Sequence, residues 1–120
     1  MAKWEPRKAA ERGAVYLDAV KPDWFRCITL NTLQLSDNGT CVLGQCFGDY
    51  FNALTALVPA FNGYDPDLVE EHANRRQFAE TFGFQVPRPL ENRGGYERLG
   101  LAWKALIVRR RKTRRSRTTA

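Results

Sequence analysis

Residues 41–57 read CVLGQCFGDYFNALTAL, and this stretch decides the fold class. Leu43, Phe47, Tyr50, Leu54 and Leu57 recur at alternating steps of four and three, which places them in one stripe along an α-helix. Val42, Cys46 and Phe51 widen the stripe. Thr40 follows the turn-forming run Ser36-Asp37-Asn38-Gly39 and is the expected N-cap, so the reading is a helix from about Cys41 to Leu57. Burying each large apolar side chain contributes about 1.5–3 kcal/mol, which makes this helix the expected centre of the core. Gly44 and Gly48 stand four apart inside it. A glycine in a helix interior costs about 1 kcal/mol relative to alanine, so the missing side chains need a reason. One reason is close packing by a bulky ring from Trp24, Tyr96 or Trp103. The other is a shallow groove for a partner helix or ligand, formed by Gly44, Gly48, Trp24 and Trp103.

Outward from this stretch the pattern stays helical. Pro6 suits an early helical position, and Ala10, Ala14 and Leu17 keep helical spacing, giving a first helix over Trp4–Val20 that stops before Pro22. Ile28, Leu30, Leu33 and Leu35 include an alternating stretch. They form either a short strand or a helical turn followed by extended chain. Residues 59–64 read as a loop. Asp65-Pro66 starts a third helix carrying Leu68, Val69, His72, Phe78 and Phe82, and Gly83 caps its end. Pro87, Pro89, Gly94 and Gly95 make the next segment irregular. Tyr96, Leu99, Trp103, Leu106 and Ile107 mark a fourth amphipathic helix. The expected fold is mainly α: a compact bundle of about four helices with irregular connections and a short extended segment near residues 28–35. No internal repeat is visible.

At 120 residues the chain has room for one core, with a globular domain over 1–108 and an arginine-rich tail over 109–120. No window supplies the roughly 18 apolar residues of a membrane span, and residues 1–12 lack the apolar stretch of a signal peptide, so the expected location is the cytoplasm. Three cysteines, Cys27, Cys41 and Cys46, are an odd number and read as reduced thiols. The net charge of +6 is unevenly placed. Of 19 Lys and Arg, seven (Arg109, Arg110, Arg111, Lys112, Arg114, Arg115 and Arg117) crowd into the tail, leaving 12 against 13 Asp and Glu in the body.

The segment Gly13-Ala14, Leu17-Asp18, Pro22, Trp24, Ile28, Leu30, Leu33, Leu35, Cys41-Val42-Leu43-Gly44-Gln45, Phe47-Gly48 and Tyr50 resembles a type of small protein encoded by actinobacterial phages and prophages. Its most recognisable part is CVLGQ-x-FG-x-Y, over residues 41–50. The resemblance covers roughly the first half of the chain, and Tyr96, Leu99 and Trp103 are similar as well. It implies a phage accessory product working in the cytoplasm of an infected or lysogenic host, and it supplies no catalytic residue.

Catalytic patterns are missing. His72 is the one histidine and stands in a charged helix, where a surface or boundary role is expected. Cys41 and Cys46 are five apart, about 140° around a helix, which argues against a zinc site with Cys27 and His72. No phosphate-binding loop follows Gly44 or Gly48. Asp18, free to cap or salt-bridge, forms no acid–base pair with Asp37 or Asp49. The expectation is a non-enzyme without cofactor or metal. The tail offers arginine forks that match phosphates and displace counterions, so the first reading is a binding module whose basic tail contacts DNA or RNA. The alternatives are a module that binds a host protein through exposed aromatics such as Trp4, Trp24 or Phe61, and a self-assembling structural protein.

Overall fold

The computed structural model describes residues 4–37, 39–57, 71–91 and 94–118, with backbone only at 51, 55–56, 71–75, 88, 91 and 114–118. Pro6 fixes the backbone of the first turn of α1 (Pro6–Val20), and the helix ends at Val20, two residues before Pro22. Its buried face is Ala9, Ala10, Gly13, Ala14 and Leu17, a row of small residues ending in one large one. Such a row lets a neighbouring helix come close. That neighbour is α6 (Gly95–Thr118), and α1 with α6 forms the most extensive helix pair of the fold.

Between α1 and the next helix lie two single 3₁₀ turns, Trp24–Cys27 and Leu30–Thr32. Among the described residues there is no strand. Ile28 and Thr29 are extended, but a side chain takes the hydrogen bonds a neighbouring strand would have made. Gln45 Oε1 accepts from the Thr29 N–H at 2.6 Å, and its Nε2 donates to the Thr29 and Thr40 carbonyls at 3.3 and 2.8 Å.

The expected helix over 41–57 is two helices, α2 (Val42–Phe47) and α3 (Tyr50–Leu57). Gly48 sits at φ +88°, a conformation that ends α2. Asp49 then restarts the helix, its carboxylate accepting the Asn52 N–H at 3.2 Å. The cap of α2 is Cys41 rather than Thr40, since the Cys41 Sγ accepts from the Gly44 N–H at 3.3 Å. Leu43, Leu54 and Leu57 are buried on both sides of the break, while Phe47 and Tyr50 pack against the core half-buried. The apolar stripe therefore survives as a surface shared by two helices, but it is not the centre of the molecule.

Helix α4 (Glu71–Thr81) closes on a Schellman turn: Gly83 has φ +72°, its N–H donates to Glu80 O at 3.5 Å, and Phe84 N–H donates to Ala79 O at 2.8 Å. Two side chains of the α1 segment also donate to its last carbonyls, Trp4 Nε1 to Glu80 O at 3.1 Å and Arg12 Nε to Thr81 O at 2.7 Å. The expected loop at 59–64 and the start of this helix at Asp65-Pro66 lie outside the described residues. The irregular segment near Pro87 contains a one-turn helix, α5 (Arg88–Glu91).

The core centres on rings. Trp103 stacks on Phe84 with centroids 5.6 Å apart and meets Trp24 edge-on at 5.6 Å. Phe78 joins Phe84, Phe82 and Tyr16 to this cluster. Trp103 Nε1 donates to Gly83 O at 2.6 Å, so this fully buried ring keeps its one polar group satisfied. The residue that makes room for it is Gly13. A Cβ there would come within 2.0 Å of Phe82 O and 2.8 Å of the Trp103 ring.

Candidate nucleic-acid interface

The basic run is part of α6, which continues without a break through Thr118. At 24 residues and about 1.5 Å each, the helix is about 36 Å long. The part of it before the basic run supplies Leu99, Trp103, Leu106 and Ile107 to the core. The domain boundary expected at residue 109 therefore falls inside a helix.

Two arginines of the run turn back onto the body. Arg110 Nη2 lies 2.9 Å from Asp18 Oδ2. The other oxygen of Asp18 accepts from Trp24 Nε1 at 2.9 Å, so one carboxylate joins α1, the first 3₁₀ turn and α6. Arg111 Nη2 donates to two backbone carbonyls, Phe25 O at 2.9 Å and Ile28 O. These carbonyls flank the end of the turn Trp24–Cys27, where the chain has no helix or sheet to satisfy them. The Asp18–Arg110 pair is more than a third exposed on both sides, and such a pair contributes at most about 1 kcal/mol. Its effect is on orientation: with Arg111, it holds the start of the basic run to the turn.

Arg109 and Lys112 are exposed. Arg109 also lines a cleft of about 310 Å³ between α1 and α6, with Glu11, Val15, Leu106, Arg110 and Thr113. Arg114, Arg115 and Arg117 stand on the helical backbone, and their side chains lie outside the described residues. The run is thus divided in position: Arg110 and Arg111 bind the protein itself, and Arg109 and Lys112 face solvent.

The other expected site residues come apart. Trp24 and Trp103 are fully buried and meet each other in the core, so they offer no surface to a partner. Gly44 is buried in α2, whereas Gly48 is exposed with nothing within 4 Å of its Cβ position. Gly48 ends α2, and Gly13 is a glycine whose Cβ position meets the Trp103 ring. Trp4 is half-buried and hydrogen-bonded to α4, and Phe61 lies outside the described residues. Exposed apolar surface is found instead at Leu101 and Val15, 67% and 64% exposed. Leu101 borders a second cleft, about 510 Å³, lined also by Leu33, Leu35, Tyr96, Glu97 and Lys104.

Among the described residues no group of three or more His, Cys, Asp and Glu is placed to hold a metal ion, and no helix is long and apolar enough to cross a membrane. His72 falls on the backbone of α4, with its side chain outside the description. Compared with known proteins, the chain matches no family model, no curated protein and no solved structure.

Proposed function

We propose that this chain is a small non-enzymatic binding module, of the phage accessory type, whose basic C-terminal helix contacts DNA or RNA through phosphates. The observation that carries the reading is the division of labour within α6. Arg110 and Arg111 fix the helix to the body, while Arg109 and Lys112 stay exposed on it. A cationic helix held in one orientation loses less conformational freedom on meeting a polyanion than a free tail does, so more of the counterion-release free energy appears as affinity. Among the described residues no element stands out as base-reading, and the body is near-neutral. Binding is therefore expected to be electrostatic and indifferent to sequence.

The test keeps the two anchors. In the full chain, Arg109, Lys112, Arg114, Arg115 and Arg117 are replaced by Gln, a good helix former without charge. The parent should shift duplex DNA or RNA at low salt, and the variant should lose the shift while keeping its circular dichroism and melting temperature. A parent that gives no shift at low salt, or a variant that binds as well, refutes the reading. The second reading is capture of a host protein at the cleft beside the exposed Leu101. Its signature is binding that survives the five Gln substitutions and nuclease treatment but falls with Leu101→Asp. Self-assembly, the third, would show as a concentration-dependent mass in solution.

A further inference from the structure

The three cysteines do not share one environment. Cys41 is buried, caps α2 through its sulfur, and has its thiol pushed up in pKa by that burial. Cys46, on the same helix, is half-buried and donates from Sγ to Trp24 O at 3.4 Å. Cys27 is exposed and ends the 3₁₀ turn that Trp24 begins. The contact with Trp24 O seats Cys46 against the backbone of the turn whose last residue is Cys27. Cys27 is near enough to Cys46 to help burial raise its thiol pKa. Sequence spacing hides this pair, because Cys27 and Cys46 are nineteen positions apart and belong to different elements.

We propose that Cys27 and Cys46 are a peroxide-oxidisable dithiol that closes to a reversible disulfide between the turn Trp24–Cys27 and α2. The roles follow from access. Cys27 meets the oxidant, because it is the exposed member. Burial pushes the Cys46 thiol up to about 12, so it keeps its proton and does not react first. In the first step the Cys27 sulfur attacks hydrogen peroxide: an S–O bond forms, the O–O bond breaks, and one water leaves. In the second, the Cys46 sulfur attacks the Cys27 sulfenic acid. The S–S bond forms, the S–O bond breaks, and the displaced oxygen leaves as water with the Cys46 proton. Two thiols lose two electrons, and one peroxide becomes two waters. The same turn holds Arg111 through Phe25 O and Ile28 O, so the bond forms at the seat of the basic helix.

The full-length reduced protein is exposed to hydrogen peroxide, and intact mass and non-reducing peptide maps are read. The expected product is a monomer lighter by about 2 Da, with Cys27 joined to Cys46, Cys41 still alkylatable, and full reversal by dithiothreitol. In Cys46→Ser the sulfenic acid on Cys27 should persist and be trapped by dimedone, at least about tenfold above the parent. The proposal is overturned by no reaction at all, by a bond that involves Cys41 or a second chain, or by oxygen added to Cys27 while Cys46 stays alkylatable. Because the mapping is done on the parent chain, a Cys46→Ser variant that fails to fold leaves the decisive measurement intact.

Discussion

Replacing Gly13 by Ala tests the packing of the core with one added carbon. In the interior of a free helix the change stabilises by about 1 kcal/mol. Here the added Cβ would lie 2.0 Å from the Phe82 carbonyl oxygen and 2.8 Å from two atoms of the Trp103 ring. Neither neighbour is free to yield. Phe82 stands at the end of α4, where the Schellman bond from Phe84 to Ala79 fixes the backbone. Trp103 is fully buried, held by its bond to Gly83 O and by rings on two sides. Relief requires α1 to move away from α4 and α6, and overpacking of this kind costs about 1–3 kcal/mol per site, or more. With a backbone oxygen and a locked ring both in the way, the cost should exceed the propensity gain and leave a net loss of about 2 kcal/mol. At a urea slope of about 1–3 kcal/mol/M, the unfolding midpoint should fall by roughly 1 M. Gly100→Ala is the matched control. Gly100 is also in a helix, but its Cβ would meet Leu35 Cδ2 at an ordinary 3.7 Å, so this variant should gain up to about 1 kcal/mol. If Gly13→Ala unfolds at the same urea concentration as the parent, or higher, α1 does not pack on Trp103 as described.

Other expectations can be checked independently. If the five cations of the basic run other than the two anchors each neutralise one phosphate, the slope of log affinity against log salt should approach about −4.5, a loss of roughly 500-fold between 50 and 200 mM. Fluorescence anisotropy with a labelled duplex reads it, and a slope near zero removes phosphate contact as the basis of binding. Trp103→Phe should lower stability by at least about 1–3 kcal/mol, since it strands the buried Gly83 carbonyl and leaves space among the core rings; a calorimetric transition that does not move would refute both. Gly48→Ala, at φ +88°, should destabilise by about 1 kcal/mol despite open space around the Cβ, because the strain lies in the backbone. Asp37 accepts backbone N–H bonds from Gly39 and Thr40, which hold its carboxyl below its ordinary value. A lowered folded pKa means a contribution that is complete above about pH 4 and fades as pH falls through the lowered value. Asp37→Asn should therefore weaken the acid dependence of unfolding, and an unchanged acid limb would show that the Asp37 carboxylate contributes nothing.

Much of the architecture was legible in the sequence, because it was encoded by local rules. Pro6 and Pro22 bracket α1, Gly83 ends α4, and the spacing of Tyr96, Leu99 and Trp103 marks the buried side of α6. The break at Gly48 was not legible, because α2 and α3 turn the same apolar stripe toward the core on either side of it. Periodicity reports which residues face inward and is blind to a single residue of left-handed backbone between them. Gly13 was missed for the opposite reason: its neighbours Phe82 and Trp103 are remote in sequence. The basic run showed its charge plainly but concealed its anchors. Asp18 is an ordinary helix residue in the sequence, and the carbonyls of Phe25 and Ile28 carry no side-chain signature at all.

The pairing of α1 with α6 also sets the order in which the molecule can be made. Gly13 waits for Trp103, and the turn at Phe25 waits for Arg111, a residue 86 positions later. A chain emerging from the ribosome exposes the small-residue face of α1 first and finds the cover for it last. Until α6 has emerged no half of the core can close, so the nascent chain should stay sensitive to proteases up to that point and then become resistant in one step.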